Sequence, residues 1–118
     1  VPSSDTPVIG SRETMILRRA LIAEEYHELI EELDKPNPDL AKITKEGIDL
    51  VYVVLGMFAT LGLPFATAWD AVHASNMTKE PSPDGGKIRK GDAYQPAEPE
   101  IEAAIDLAIT RGPSVRSG

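Results

Sequence analysis

The chain has 118 residues, which leaves room for one domain at roughly 100 to 150 residues per domain. Its 12 basic and 19 acidic side chains give a net charge of -7. A surface of this charge repels phosphate backbones and anionic lipid, so we expect neither a nucleic-acid polymer nor a membrane as a partner. Cysteine is absent, which excludes disulfide bonds, thiolate zinc sites, iron–sulfur clusters and a cysteine nucleophile.

A first helix is predicted over residues 12–34. Ser11 is a suitable N-cap, and Pro36 and Pro38 end the helical pattern. Between them, apolar side chains recur at 3.6-residue spacing at Met15, Ile22, Tyr26, Leu29 and Leu33.

The second helix is predicted to begin near Asp39 and to end at Gly62. Its apolar run of about 14 residues is shorter than the ~20 that cross a bilayer, so we expect a buried core helix. Apolar residues fall on nearly every side between positions 48 and 63, and such a helix must be covered all round. We therefore expect a second protomer to complete a helical bundle, in a homodimer or a homotetramer.

The second half of the chain is predicted to hold two shorter helices separated by a long loop. Pro64 suits the first turn of a third helix that continues to about Thr78, with Phe65, Ala68, Trp69 and Val72 on one face. Residues 79–96 contain three Pro and three Gly without a sustained period, which indicates a loop. A fourth helix is predicted over 98–109 and a frayed tail over 111–118. The expectation is a single all-α domain over 1–118, with its core at about 12–110.

Acidic side chains share one stripe with core positions on both long helices. On the first helix the stripe consists of Leu17, Leu21, Glu25, Glu28 and Glu32, and on the second it consists of Glu46, Leu50, Val53 and Met57, with Asp49 one turn from Glu46. A short connection makes the helices antiparallel neighbours, so their acidic halves should meet. Carboxylates gathered in a partly buried place need a neutralising cation, and oxygen ligands suit Mg²⁺ or Mn²⁺. The alternative is an ordinary solvated helix face.

The spacing Glu25-x2-Glu28-x17-Glu46-x2-Asp49 resembles the metal motif of the all-α nucleoside triphosphate pyrophosphohydrolases, the MazG and phosphoribosyl-ATP pyrophosphohydrolase superfamily. The segment 72–79, the run Gly85-Gly86-Lys87 and the segment 90–96 are similar to the region after the third helix in MazG-like and dimeric dUTPase-like members. The resemblance covers about residues 12–96.

This resemblance implies an all-α, MazG-like helical bundle completed by oligomerisation. It further implies that Glu25, Glu28, Glu46 and Asp49 bind Mg²⁺, with Mn²⁺ as a second possibility. Glu24 or Glu25 would help to activate the attacking water. The residues expected to contact the triphosphate or the nucleoside are Asn76, Lys79, Lys87, Lys90 and Tyr94.

The loop after the third helix is basic in an acidic chain. Residues 79–90 contain four basic and two acidic side chains, a local charge of +2, while the rest of the chain sums to -9. A positive segment beside a metal-binding acidic cluster suits a polyphosphate carrying a cation. Lysines that only aid solubility are the alternative.

Side chains on the third helix and both histidines have less specific interpretations. Asn76 and Lys79 continue the line of Phe65, Trp69 and Val72, so we expect that line to face the core, with a nucleobase platform as the alternative role of Trp69. His27 should face solvent. His73 is expected to be a packed core histidine, although it could stack on a base.

The activity that these residues favour is Mg²⁺-dependent hydrolysis of a nucleoside triphosphate to the monophosphate and pyrophosphate. One alternative from the same reaction class is phosphoribosyl-ATP hydrolysis in histidine synthesis. Another, from a different class, is a helical interaction module whose acidic stripe binds a basic partner protein. The N-terminal residues do not resemble a secretory leader, so a cytoplasmic location is the default expectation.

Overall fold

A computed structural model describes residues 3–111, which form four α-helices and no β-strand. The helices are α1 (Arg12–Leu33), α2 (Leu40–Leu61), α3 (Phe65–Asn76) and α4 (Glu98–Arg111). This confirms the predicted all-α class. Helix α3 ends two residues earlier than expected, and α4 includes Arg111, which the sequence assigned to the tail. The rest of the predicted frayed tail, 112–118, lies outside the described residues.

The ends of the two long helices follow from local hydrogen bonding. The Ser11 hydroxyl accepts the backbone N–H of Thr14 at 3.1 Å, as an N-cap does. Asp39 caps α2 by accepting the N–H of Ala41 at 2.9 Å. At the other end, Gly62 has φ 65°, a left-handed conformation that closes a helix and that glycine adopts without steric cost. The predicted start and stop of α2 are confirmed by these caps.

The described residues divide into two compact units, of which the first consists mainly of Val8–Leu63 and contains α1 and α2. Met15, early in α1, lines the same open groove of about 610 Å³ as Met57, late in α2, so the two helices are antiparallel. The N-terminal segment lies along the end of α2, where Ser4 donates its N–H to the Ala59 carbonyl at 3.0 Å and Val8 to the Leu61 carbonyl at 2.9 Å. Sequence periodicity did not predict these backbone hydrogen bonds between the N-terminal segment and α2.

The second unit consists mainly of the chain from Pro64 onward, together with Asp5–Pro7, and packs α3 against α4. Its buried positions are small: Ala71 and Ser75 in α3, and Ala97 just before α4. Ser75 donates its hydroxyl to the Gln95 carbonyl at 2.6 Å, which ties α3 to the segment leading into α4.

The prediction that the large apolar residues of α3 face the core is wrong for the single chain. Trp69 is 62% exposed, and Val72, His73 and Asn76 are also exposed. The small side chains of Ala71 and Ser75 face inward because they allow the neighbouring segment to approach closely. Large apolar residues at helical spacing mark a face that is suited to burial, but they do not say whether this chain covers it.

The loop after α3 is closed by an isolated antiparallel bridge that the sequence did not indicate. Glu80 and Arg89 exchange two backbone hydrogen bonds of 2.9 Å each, and their side chains form an ion pair at 3.2 Å. Within this loop Asp84 accepts a hydrogen bond from the Ser82 hydroxyl and another from the Gly86 N–H, and both lower the pKa of the Asp84 carboxyl. The loop is thus locally ordered, although it lacks periodic patterning.

Large apolar side chains on α2 are exposed in this chain. Ile48 is 58% exposed, Val51 52% and Tyr52 74%. Among residues 3–111, no single helix is long and apolar enough to cross a membrane, and α2 and α3 reach that length and composition only when they are counted together.

Candidate active site

Three glutamates from the two long helices converge in the first unit. Glu25 and Glu28 lie one turn apart on α1, and the antiparallel arrangement brings Glu46 of α2 opposite them. One carboxylate oxygen from each residue lies within 4.8 Å of the other two, and all three residues are half-buried. In octahedral coordination Mg²⁺ binds oxygen at about 2.1 Å, so adjacent ligand oxygens lie about 3 Å apart and opposite ones about 4.2 Å apart. Oxygens that already lie within 4.8 Å of one another can reach such a cation by side-chain movement.

The same three residues show the electrostatic strain that a cation would relieve. The pKa of Glu46 is raised, first by burial and then by a hydrogen bond with the Glu28 side chain. The positive charge of Lys45 lowers it in part, and the charges of Glu28 and Asp49 raise it further. Carboxylates that converge in a partly buried place repel one another, and a bound cation relieves that repulsion.

Two carboxylate oxygens in the cluster are buried and have no hydrogen-bond donor among residues 3–111. They are Glu25 Oε2 and Glu46 Oε2. An anionic oxygen removed from water and left without a donor is costly, and a bound cation removes that cost. The donor set and these two oxygens fit a divalent cation.

Asp49, the fourth predicted ligand, is not part of the converging group. Its Oδ2 lies 2.8 Å from the Lys45 Nζ, in an ion pair one turn apart on α2. Lys45 Nζ also lies 3.6 Å from Glu46 Oε1. Of the four carboxylates predicted to meet, Glu25, Glu28 and Glu46 converge, whereas Asp49 pairs with Lys45, a residue that the sequence analysis did not consider. Glu24, the other candidate for water activation, is exposed on α1.

Residues 2–76 match the sequence profile of the phosphoribosyl-ATP pyrophosphohydrolase family. The chain belongs to this family. The match includes the three converging glutamates, Asp49 and Asn76, and ends before Lys79. A comparison with curated proteins gave no significant match. Family membership makes the chain a pyrophosphohydrolase of the MazG-like superfamily, whose members generally use divalent metals, and the carboxylate cluster provides suitable ligands.

One further carboxylate of this pyrophosphohydrolase lies on the same stripe of α1. Glu32 is 14% exposed at its side chain, and its Oε2 accepts a hydrogen bond from Lys35 Nζ at 2.7 Å. Its other oxygen is buried without a donor in the described part of the chain. Since Lys35 already balances its charge, Glu32 stays outside the candidate ligand set.

The predicted substrate contacts belong to the second unit, and the structure brings two of them together. Lys90 Nζ lies 5.0 Å from the centre of the Tyr94 ring, a cation–π contact. Asn76 is exposed at the end of α3, Lys87 is exposed in the loop, and Lys79 is half-buried. Four of the five predicted contacts, all except Asn76, lie beyond the family match, so family membership of this pyrophosphohydrolase does not bear on their role.

Proposed function

We propose that the chain is a Mg²⁺-dependent nucleoside triphosphate pyrophosphohydrolase that releases the monophosphate and pyrophosphate, with Mn²⁺ able to replace Mg²⁺. The observation that carries this proposal is the convergence of Glu25, Glu28 and Glu46, with two buried oxygens lacking donors, in a chain of a pyrophosphohydrolase family. A general acidic surface would not need to bury unpaired carboxylate oxygens between two helices.

The reaction breaks the bond between the α phosphorus and the oxygen that bridges it to the β phosphorus. Water adds to one of the two phosphorus atoms, and the bridging oxygen leaves with the other. When bound, a divalent cation supplies positive charge for the phosphate oxygens and lowers the pKa of a nearby water. Glu25, Glu28 and Glu46 would hold this cation through their carboxylate oxygens. Glu25 Oε2, which has no donor among the described residues, accepts the proton of the attacking water, with exposed Glu24 as the other candidate base.

The basic loop is proposed to hold the triphosphate. Arg89 is engaged by Glu80, so the loop cations assigned to phosphate oxygens are Lys79, Lys87 and Lys90. Asn76 and Tyr94 are assigned to the nucleotide beside them. No covalent enzyme intermediate is needed, because hydrolysis requires only water, charge stabilisation and orientation.

Replacing Lys87 with Met tests this assignment. The free energy of a lysine–phosphate contact at an exposed position is at the lower end of the range for charged hydrogen bonds, about 1.5 kcal/mol. We therefore expect KM to rise about tenfold, with a smaller change in kcat. Steady-state kinetics measure both. Lys42→Met removes the same charge from the exposed first turn of α2 and should leave KM unchanged. Equal KM values for the Lys87 variant and the unmodified chain would remove Lys87 from the substrate contacts.

The exposed apolar residues of α2 support the proposal that the working enzyme is a homo-oligomer. Ile48, Val51 and Tyr52 are each more than half exposed, and leaving such side chains in water is unfavourable. A second copy of the chain would cover them and complete the bundle.

Phosphoribosyl-ATP is the second candidate substrate, because the matching family is described by that reaction. The same phosphoanhydride bond is cleaved, but the added phosphoribosyl group brings a further phosphate that needs cationic partners. The loop of net charge +2 provides such partners in modest number.

A substrate panel distinguishes the candidates. Pyrophosphate release is measured with Mg²⁺ on canonical and damaged nucleoside triphosphates, including dUTP and dCTP, and on phosphoribosyl-ATP. We expect the highest kcat/KM on a nucleoside triphosphate. A clear preference for phosphoribosyl-ATP would mean that the chain is a phosphoribosyl-ATP pyrophosphohydrolase. No release from any compound, with no Mg²⁺ or nucleotide binding by calorimetry, would favour a non-catalytic interaction module.

A further inference from the structure

Lys45 is placed against two of the candidate metal ligands. Its ammonium lies 2.8 Å from Asp49 Oδ2 and 3.6 Å from Glu46 Oε1. The Lys45 side chain is 68% exposed, whereas that of Asp49 is 35% exposed and that of Glu46 is 16% exposed. The Lys45 ammonium thus reaches the edge of the cluster from solvent, and most of the Lys45 side chain lies in water.

The Lys45 ammonium bridges Asp49 and Glu46 at the edge of the cluster. Asp49 lies one turn from Glu46 on α2, a spacing that would allow both carboxylates to serve one site. Lys45 and Asp49 are four residues apart on the same helix, so their pairing depends on helix geometry alone. Asp49 Oδ2 is engaged by the ammonium, and Asp49 is not among the carboxylates that converge.

We propose that Lys45 is a positioning residue that acts as an internal counter-ion, engaging Asp49 beside the carboxylate cluster until a divalent cation displaces its ammonium group. The inference rests on the proposed function in one respect, which is that the cluster binds a divalent cation.

The physical basis is competition for the same oxygen atoms. Without a divalent cation, the ammonium offsets part of the repulsion among the carboxylates. A divalent ion carries twice the charge and bonds directly to oxygen, so it displaces an exposed ammonium that water readily solvates. Exposed lysine–carboxylate pairs are weak, which limits the competition to a few-fold in affinity. Lys45 therefore lowers the affinity for the metal slightly while it stabilises the metal-free protein.

The test is titration of Mn²⁺ into the metal-free full chain by calorimetry, without nucleotide. We expect Lys45→Met to bind Mn²⁺ about two- to fivefold more tightly than the unmodified chain and to have a lower Tm without metal. Lys45→Arg should restore both values. Lys42→Met, which removes a lysine one turn earlier on α2, should change neither. Unchanged or weaker Mn²⁺ binding by Lys45→Met would overturn the proposal.

A double variant shows whether the competition acts through Asp49. In a chain carrying Asp49→Asn, adding Lys45→Met should give a much smaller gain in Mn²⁺ affinity. An equal gain in both backgrounds would mean that Lys45 acts only by its charge at a distance, and the proposed displacement from Asp49 would be wrong.

The outcomes separate this inference from the proposed function. If the unmodified chain binds no Mn²⁺ at millimolar concentration, both fail. If it binds Mn²⁺ and Lys45→Met binds equally well, only the role of Lys45 fails. A higher KM for nucleotide with unchanged Mn²⁺ affinity would make Lys45 a substrate contact and would likewise overturn its role as a competitor.

Discussion

Glu28→Gln is expected to reduce Mg²⁺-dependent pyrophosphate release by more than about 100-fold, because even the loss of a residue that only orients a metal ligand costs about 10- to 100-fold. Glu28 contributes an oxygen to the converging group and shares a hydrogen bond with Glu46. Glutamine keeps the size and one oxygen of the side chain but removes the negative charge that a cation needs. The measurement is kcat/KM at saturating Mg²⁺, together with Mn²⁺ affinity by calorimetry.

The matched control for this variant is Glu31→Gln. Glu31 lies on α1 three residues further on and is exposed, so the substitution removes the same charge from the same helix without touching the cluster. We expect it to retain activity close to that of the unmodified chain. If Glu28→Gln kept full activity on every substrate, the carboxylate cluster would not be the active site.

Glu46→Gln is expected to make the metal-free protein more stable at pH 7 to 8 while it abolishes stabilisation by the metal. The pKa of Glu46 is raised above the ordinary value of 4.5, chiefly by burial and by its hydrogen bond with Glu28. The folded chain therefore holds this proton more tightly than the unfolded chain does. That contribution to stability is fully present below the ordinary pKa and is lost as the pH rises through the raised value. At neutral pH, an ionised Glu46 opposes folding, whereas glutamine is neutral throughout and can still donate to Glu28.

Thermal unfolding at several pH values tests this expectation. Without metal, the Tm of Glu46→Gln should exceed that of the unmodified chain at pH 7.5, and the difference should vanish near pH 4, where Glu46 is protonated. Excess Mg²⁺ or Mn²⁺ should raise the Tm of the unmodified chain, by an amount that corresponds to about 2.7 kcal/mol at 100 times the Kd. It should raise that of the variant much less. A lower Tm for the variant at pH 7.5 without metal would mean that Glu46 is stabilising in its ionised form, contrary to this account.

Activity and stability make opposite demands on the carboxylate cluster. Ligands suited to a divalent cation repel one another when it is absent, so the residues that create activity also reduce the stability of the metal-free chain. The ammonium of Lys45, placed against Glu46 and Asp49, offsets part of that repulsion.

Signals in the sequence predicted the limits of the two long helices and the meeting of three of the four carboxylates. Ser11, Asp39 and Gly62 act through hydrogen bonds and backbone angles within a few residues, so the limits of α1 and α2 follow from sequence. The meeting of Glu25 and Glu28 with Glu46 also followed, because helical spacing sets a stripe on each helix and a short turn makes the two helices antiparallel.

Tertiary structure alone decided which faces are covered and whether Asp49 joins the carboxylate cluster. The periodicity of α3 marks its large apolar residues, yet Ala71 and Ser75 face inward because small side chains admit a close neighbour. The i,i+4 spacing of Lys45 and Asp49 is visible in the sequence. The convergence of Glu25, Glu28 and Glu46 without Asp49 depends on side-chain directions and on how near α1 lies. Hydrogen bonds and ion pairs within a helix depend on neighbouring residues and can be predicted from them, whereas burial depends on atoms that the fold brings from elsewhere in the chain.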